Sequence, residues 1–247
     1  MLNQPTLEKL HGLRLSVMAG TWQDQAKDPK IGNLSFDERF GLLVDAEHMA
    51  RDNRRLSRLL KNAGLRYPHA CIEDVDISRG VDKAMLMQLA GCGWIREHLN
   101  VLITGATGTG KSYLGCALGQ MGCRGSLTVT CRRVPRLFEE LGLARVDGSY
   151  ARALEKLAKA DVLILDDLGV GSLKEAQRHD LLEVLEDRDG TRSTVVTSQL
   201  DHTRWHEWIA DPTMADAILD RLVHNAYKLK LKALPAARSL QPTTDQP

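Results

Sequence analysis

An apolar run, Val101-Leu102-Ile103-Thr104, leads directly into Gly105-Ala106-Thr107-Gly108-Thr109-Gly110-Lys111-Ser112, and a helical pattern follows from Lys111 to Met121. No other stretch restricts the possible folds as much. The octapeptide fits G-x-x-x-x-G-K-[ST] at every fixed position, between a strand and a helix. Its three glycines let the backbone turn tightly with N–H groups facing inward, a concavity that suits phosphate oxygens. The N-terminus of the following helix adds partial positive charge to the same spot. Lys111 is placed to bridge β- and γ-phosphates, and the Ser112 hydroxyl to ligate Mg²⁺. The expected ligand of Gly105–Ser112 is therefore a nucleoside triphosphate with its metal.

The pattern around this loop fixes the rest of the architecture. Apolar runs at Leu127–Cys131, Val162–Leu165 and Thr194–Thr197 read as strands. Pro135 opens a helix holding Leu137, Phe138 and Leu141, and Ala176–Arg188 is amphipathic with Leu181, Leu182 and Leu185 inward. Apolar strands alternating with helices predict an α/β fold with a parallel sheet covered by helices on both faces. Before it, Leu7, Leu10, Leu13 and Val17 recur at helical spacing. Ser35 and Glu38 form a capping box ahead of a long pattern running through Phe36, Phe40, Leu43, Val44, Leu56, Leu59, Leu60 and Ala63, with Gly64 as C-cap. The expected organisation is a small all-helical N-terminal domain over 1–66, a P-loop ATPase domain over 67–234 with little room for a lid, and a frayed tail over 235–247. From 201 to 234 two short helical patterns lead to a basic end.

The second chemical signal is Val162-Leu163-Ile164-Leu165-Asp166-Asp167, where four apolar residues end in two aspartates. That places carboxylates at the C-terminal edge of a buried strand, where ligands sit in open α/β sheets. Asp166 is expected in the Mg²⁺ shell with Ser112, and Asp167 to orient or activate the attacking water. The strand at Thr194–Thr197 ends in Ser198-Gln199. Gln199 is the preferred contact to γ-phosphate or water, since its amide both donates and accepts; a plain polar strand terminus is the competing reading.

Charge narrows the partners. The chain has 33 Lys+Arg against 32 Asp+Glu, so it is no uniformly basic nucleic-acid coat, and 4% aromatic residues argue against a stacking surface for single strands. The near balance hides local excess. Between Arg51 and Arg66 there are six basic residues and one acid, and Arg51, Arg54, Arg55, Arg58 and Lys61 share much of one helix face. Such a stripe is a footprint for a phosphate backbone, with a solvated helix face as the alternative. Residues 147–190 hold eleven acids and six bases, whereas 221–238 hold five bases and no acid. Opposite faces of this kind suit head-to-tail packing into a ring or helix. Five cysteines without a C-x-x-C pair read as buried free thiols. No signal peptide pattern and no run near ~18 apolar residues points away from membranes and toward the cytoplasm.

The loop Gly105–Ser112, together with Arg133-Val-Pro-Arg-Leu-Phe-Glu-Glu-Leu141, Leu163-Ile-Leu-Asp-Asp167, Val196-Thr-Ser-Gln-Leu200 and Asp211-Pro-Thr-Met-Ala-Asp-Ala-Ile-Leu-Asp-Arg-Leu222, closely resembles the IstB family. These are AAA+ ATPases encoded beside the transposase of certain bacterial insertion sequences, similar in turn to DnaC-type helicase loaders. The resemblance covers nearly the whole chain, to about Lys232. It implies an ATP-dependent helper that forms a homo-oligomer on duplex DNA and assists the transposase in target choice and strand transfer; a DnaC-like helicase loader is the alternative. It also implies that Arg221 reaches the neighbouring subunit's γ-phosphate, a task suited to an always-charged, forked guanidinium. A helix-surface salt bridge with Asp216 or Asp220 is the other reading of Arg221. The chain departs from the family pattern after Lys232, where the sensor-type arginine is lost at Ala237 or displaced to Arg238; that leaves an inactive nucleotide-binding scaffold open. A small-molecule kinase would need a basic lid between Asp167 and Ser198, and none is present.

Overall fold

A computed structural model of the chain describes residues 4–233. The tail over 235–247, and with it the choice between Ala237 and Arg238, lies outside the described residues. The strands are β1 (Asn100–Gly105), β2 (Val129–Arg133), β3 (Val162–Leu168), β4 (Ser193–Ser198) and β5 (Ala226–Leu231). They form one parallel sheet in the order β2-β3-β4-β1-β5. Because the order places β4 between β1 and β3, the carboxyl ends of these three strands lie side by side.

The helices are α1 (Gln4–Gly12), α2 (Ser16–Gln25), α3 (Phe36–Ala63), α4 (Lys83–Ala90), α5 (Gly93–Arg96), α6 (Lys111–Arg124), α7 (Val134–Asp147), α8 (Tyr150–Lys159), α9 (Glu175–Glu186), α10 (Trp205–Ile209) and α11 (Pro212–Val223). Successive strand residues face opposite sides of the sheet. Leu102, Leu163, Leu165 and Val196 join one core with α7, α8, α9, α10 and α11. On the other side α6 lies unusually close, through Gly115, Gly119 and Gly122. A Cβ at Gly119 would stand 2.7 Å from Ile164 Cδ1, and one at Gly115 3.2 Å from Thr197 Cγ2. Three small residues on one face of α6 thus set its height above β3 and β4.

Elements begin where local chemistry tells them to. Asp82 caps α4 through the Ala84 N–H, and Asp211 caps α11 through Met214 N–H, with Pro212 in the first turn. Pro135 sits in the first turn of α7. Inside the sheet ends lies Arg188, 1% exposed, donating to the carbonyls of Leu157, Ala160 and Ser193 and to Thr194 Oγ1. It closes the ends of α8, β3 and β4 by collecting carbonyls that have no ladder partner.

The described residues divide into two compact units, one up to Arg58 and the other from Leu59. The division falls inside α3, earlier than the boundary expected at 66. The reason is burial: Ala63 is 0% and Leu65 7% exposed, so the end of the helix belongs to the sheet-bearing unit. In the first unit the Ser35–Glu38 capping box forms as expected, with Ser35 N–H donating to Glu38 and Glu38 N–H to Ser35 Oγ. Glu47, 4% exposed, accepts from the N–H groups of Val17 and Met18 and so caps α2 from α3. The cysteines are free, but Cys71 and Cys92 are only half-buried, unlike Cys116, Cys123 and Cys131. Leu182, expected inward, is half-buried at the rim of the core. Among the described residues no helix is long and apolar enough to cross a membrane.

Candidate active site

The loop between β1 and α6 has the backbone that its glycines permit. Gly105 has φ +151°, and a Cβ there would meet the Leu231 carbonyl oxygen of β5 at 2.5 Å. Gly108 and Gly110 have φ +80° and +94°, with open space around them, so their requirement is conformational. The Ala106 carbonyl gathers three donors: Thr109 Oγ1 at 2.8 Å, Thr109 N and Lys111 Nζ at 2.7 Å. Lys111 is 6% exposed. Burial pushes its ammonium pKa down, while Asp167 and Asp166 act in the opposite sense.

The two aspartates reach the loop through an irregularity in the sheet. Leu165 pairs with Val196 and Leu168 with Ser198, so β3 carries one more residue than β4 between these points. A bulge of this kind breaks the alternation of side chains and re-aims them. Asp167, at φ +62°, sits in it. Thr197, 0% exposed, ties the bulge together: its hydroxyl donates to Asp166 Oδ1 at 2.6 Å and accepts from Asp167 N–H at 3.0 Å.

Arginines close the other side of the carboxylates. Arg133, opposite Asp166 in the β2–β3 register, donates Nε to Asp167 Oδ2 at 2.8 Å. Arg66 Nη1 stands 3.5 Å from Asp166 Oδ2 and 3.7 Å from Asp167 Oδ2. The result is one cleft of about 370 Å³ lined by Thr107, Gly108, Gly110, Lys111, Ser112, Asp167 and Gln199 together with Arg66 and Arg133. The sequence-predicted loop, Ser112, Asp167 and Gln199 are thus brought to one cleft, with Asp166 behind Asp167. Ser112 and Asp166 are hard oxygen donors of the kind that suits Mg²⁺.

A second cleft, about 280 Å³, adjoins the loop on the β5 side and is lined by Val75, Val81, Tyr113, Leu114 and Leu231. Arg79 spans its edge, with Nη1 donating to the Gly108 carbonyl at 2.7 Å and Nε to Asp76 at 3.1 Å. Sequence reasoning missed this cleft, and it missed Thr197, Arg66 and Arg133 as well. Thr197 had a local signal, a hydroxyl one position before the Ser198-Gln199 pair, and Arg133 and Arg66 stood in the Arg133–Leu141 segment and the basic run, but nothing local tied either arginine to the aspartates.

Arg221 is not near this cleft. Its carbonyl accepts from Asn100 Nδ2 at the start of β1, five residues and about 17 Å of strand from Gly105. Its guanidinium pairs with Glu186 of α9 at 2.9 Å, rather than with Asp216 or Asp220. Of the basic stripe, Arg51 and Arg54 both bond Glu47 Oε1, and Arg51 also the Arg14 carbonyl. Arg58 and Lys61 are exposed farther along α3.

A family model described as IstB-like ATP binding protein matches residues 8–238. The insertion sequence ATP-binding protein y4pL of Sinorhizobium fredii is 49% identical over 233 residues, which is 94% of this chain and 95% of that protein. The insertion sequence IS1162 ATP-binding protein of Pseudomonas fluorescens is 51% identical over 202 residues, 81% of this chain and 87% of its own length. Among solved structures, the DnaC helicase loader superposes with a TM-score of 0.56 at 18% identity, covering 68% of this chain and 99% of that one. DnaI superposes with a TM-score of 0.58 at 22% identity, covering 71% and 94%. Identities this low speak for the AAA+ fold alone; the family rests on the sequence relatives and on the complete phosphate loop facing Asp166 and Asp167, and the chain belongs to the IstB-like ATP-binding proteins.

Proposed function

We propose that this protein is the helper ATPase of a bacterial insertion sequence: it binds ATP with Mg²⁺, assembles on duplex DNA, assists the transposase, and hydrolyses ATP slowly to ADP and phosphate to end the assembly. The observation that carries the reading is the convergence of Lys111, Ser112 and Asp167 on one cleft, with Asp166 bonded beside it through Thr197. The insertion-sequence setting comes from the names of the relatives.

In this reading the N–H groups of 105–112 cradle the phosphates, and Lys111 exchanges the Ala106 carbonyl for phosphate oxygens. Ser112 and Asp166 would hold Mg²⁺, which would supply positive charge against the phosphates. Asp167 orients the water, with Gln199 at the γ-phosphate end. The apolar cleft of Val75, Val81, Tyr113 and Leu231 is the place for the base. Arg221 acts in trans: it lies at the opposite end of β1 from its own loop, which favours a neighbour's nucleotide as its target. Its bond to Glu186 then has to open when subunits meet. Heterologous contacts of this kind build rings or filaments. Arg51, Arg54, Arg55, Arg58 and Lys61 contact the DNA backbone, with Arg58 and Lys61 contributing most because Arg51 and Arg54 already serve Glu47.

Sedimentation with and without ATP and duplex DNA tests the proposal. Large assemblies are expected only with both present, and Lys111→Ala is expected to abolish them. Equal sedimentation under all conditions would sink it.

A further inference from the structure

Two buried thiols that the ATPase chemistry does not use face each other where α6 packs on β2. Ile164 of β3 points at α6, with its Cδ1 2.7 Å from the Cβ position of Gly119. Cys131 pairs with Ile164 in the β2–β3 register and so faces the same side of the sheet. Val129, two residues earlier on β2, also lies under Gly119, with its Cγ1 3.3 Å from the same Cβ position. Cys116 precedes Gly119 by three residues, on the same face of the helix and one turn nearer the carboxyl edge of the sheet. It therefore sits over the next β2 residue that faces α6, which is Cys131. The pairing shows at both sulfurs. The bond to Cys131 holds the Cys116 thiol below its ordinary range, and the same bond with burial pushes the Cys131 thiol above it.

Both cysteines are free and buried, yet the pair is not sealed. Cys131 lines a cleft of about 430 Å³ together with Gly64 and Arg66. A small, uncharged oxidant thus has a path to one sulfur, and the second sulfur stands beside it.

We propose that Cys116 and Cys131 are an oxidation site for peroxide, a dithiol that closes to a disulfide and switches off nucleotide binding. One sulfur gives up its proton and attacks a peroxide oxygen. The O–O bond breaks, one water leaves, and the sulfur becomes a sulfenic acid. The other sulfur attacks the first, gives up its proton, and expels the hydroxyl as the second water. Two thiols and one peroxide become one disulfide and two waters, with two electrons passing from sulfur to peroxide.

The consequence for ATP rests on the ATPase reading above. A disulfide holds its sulfurs about 2.05 Å apart, well inside the distance of two unbonded sulfurs, so α6 and β2 must shift against each other. The helix has little room to sink, because Gly119 already lies against Ile164. The movement therefore runs along or across the sheet. Ser112 and Lys111 lie about one turn before Cys116 on α6 and are carried with it. A misplacement of about 1 Å at such a site is enough for roughly a hundredfold loss of function.

The test treats the purified protein with hydrogen peroxide, alkylates and digests it, and maps the linked peptides. Binding of a fluorescent ATP analogue is measured before treatment, after it, and after dithiothreitol. The expected results are a linkage between Cys116 and Cys131, an intact mass lower by two hydrogens, and binding weakened at least about tenfold and restored by dithiothreitol. Cys131→Ala is expected to keep its binding through the same treatment, whereas a double variant of the half-buried cysteines, Cys71→Ser with Cys92→Ser, still loses it. Sulfinic acid or a different pairing in place of the 116–131 linkage overturns the site. Complete linkage with unchanged binding overturns the switch. If Cys131→Ala does not fold, the linkage and its reversal in the unsubstituted protein decide alone. A reduced protein that binds no ATP analogue refutes the ATPase reading instead, and the linkage is still read from the peptides.

Discussion

Replacing Thr197 by valine keeps the shape of the side chain and removes one oxygen. That oxygen has two bonds in a position with no solvent access: it donates to Asp166 at 2.6 Å and accepts from the Asp167 N–H at 3.0 Å. Losing the bond to a carboxylate costs about 1.5–3 kcal/mol, and leaving a buried N–H unpaired costs about 1–3 kcal/mol. The two losses share a cause and overlap, so Thr197→Val should destabilise by about 3–5 kcal/mol. Thr197→Ser is the control. It keeps the oxygen and loses only the methyl that lies 3.2 Å from the Cβ position of Gly115, a change worth about 1 kcal/mol. Urea unfolding separates them: with a slope near 2–3 kcal/mol/M, the valine midpoint should fall by about 1–2 M and the serine midpoint by less than about 0.5 M. ATP turnover should follow the same order, since the hydroxyl holds the Asp166 carboxylate and the Asp167 backbone. Equal midpoints for the two variants would falsify the claim that Thr197 pins the bulge.

Gly105→Ala forces a Cβ to 2.5 Å from a backbone oxygen of β5 at φ +151°; the expected result is loss of ATP binding together with a lowered melting temperature, and a normal melting curve would count against it. Arg188→Met strands the carbonyls of Leu157, Ala160 and Ser193 in a dry site, with an expected cost of about 3 kcal/mol or more in urea unfolding; a cost under about 1 kcal/mol would contradict the stitching role. Asp201 is held at a pKa of about 2, chiefly by the Lys230 ammonium and then by Thr203. A carboxyl whose pKa is lower folded than unfolded gives stability that is present above the unfolded value of about 3.9 and lost as pH falls toward 2. The stability gap between the protein and Asp201→Asn should therefore be constant near pH 5 to 6 and shrink below pH 4; a gap undiminished at pH 2.5 rules this out.

What could be read in the sequence was local, and what could not depended on strand register. The cradle is eight consecutive residues whose glycines, lysine and serine declare their own geometry, and β1, β3, β4 and α6 follow from apolar runs beside it. Asp211-Pro212 announces α11 in the same way, as cap and first turn. Between 66 and 82 the chain turns through short 3-10 segments, too brief for periodicity to register, so the cleft of Val75 and Val81 stayed invisible. Helix α8 also went unread, although Leu154 and Leu157 are buried and Tyr150 and Ala153 pack against the same core.

The partners of the two aspartates were less legible than the loop, for a physical reason. Two adjacent aspartates on a regular strand would point to opposite faces of the sheet; the bulge breaks that alternation, and in it Thr197 takes both the Asp166 carboxylate and the Asp167 backbone N–H. Arg133 reaches Asp167 because β2 lies beside β3 in a register that sets it opposite Asp166. Arg66 meets the same carboxylates across one hundred residues of sequence. None of these pairings has a spacing that sequence alone can weigh. Binding phosphate takes backbone N–H groups in succession, which neighbouring residues supply. Holding the two carboxylates takes partners from other elements of the fold: Thr197 of β4, Arg133 of β2 and Arg66 from beyond the end of α3.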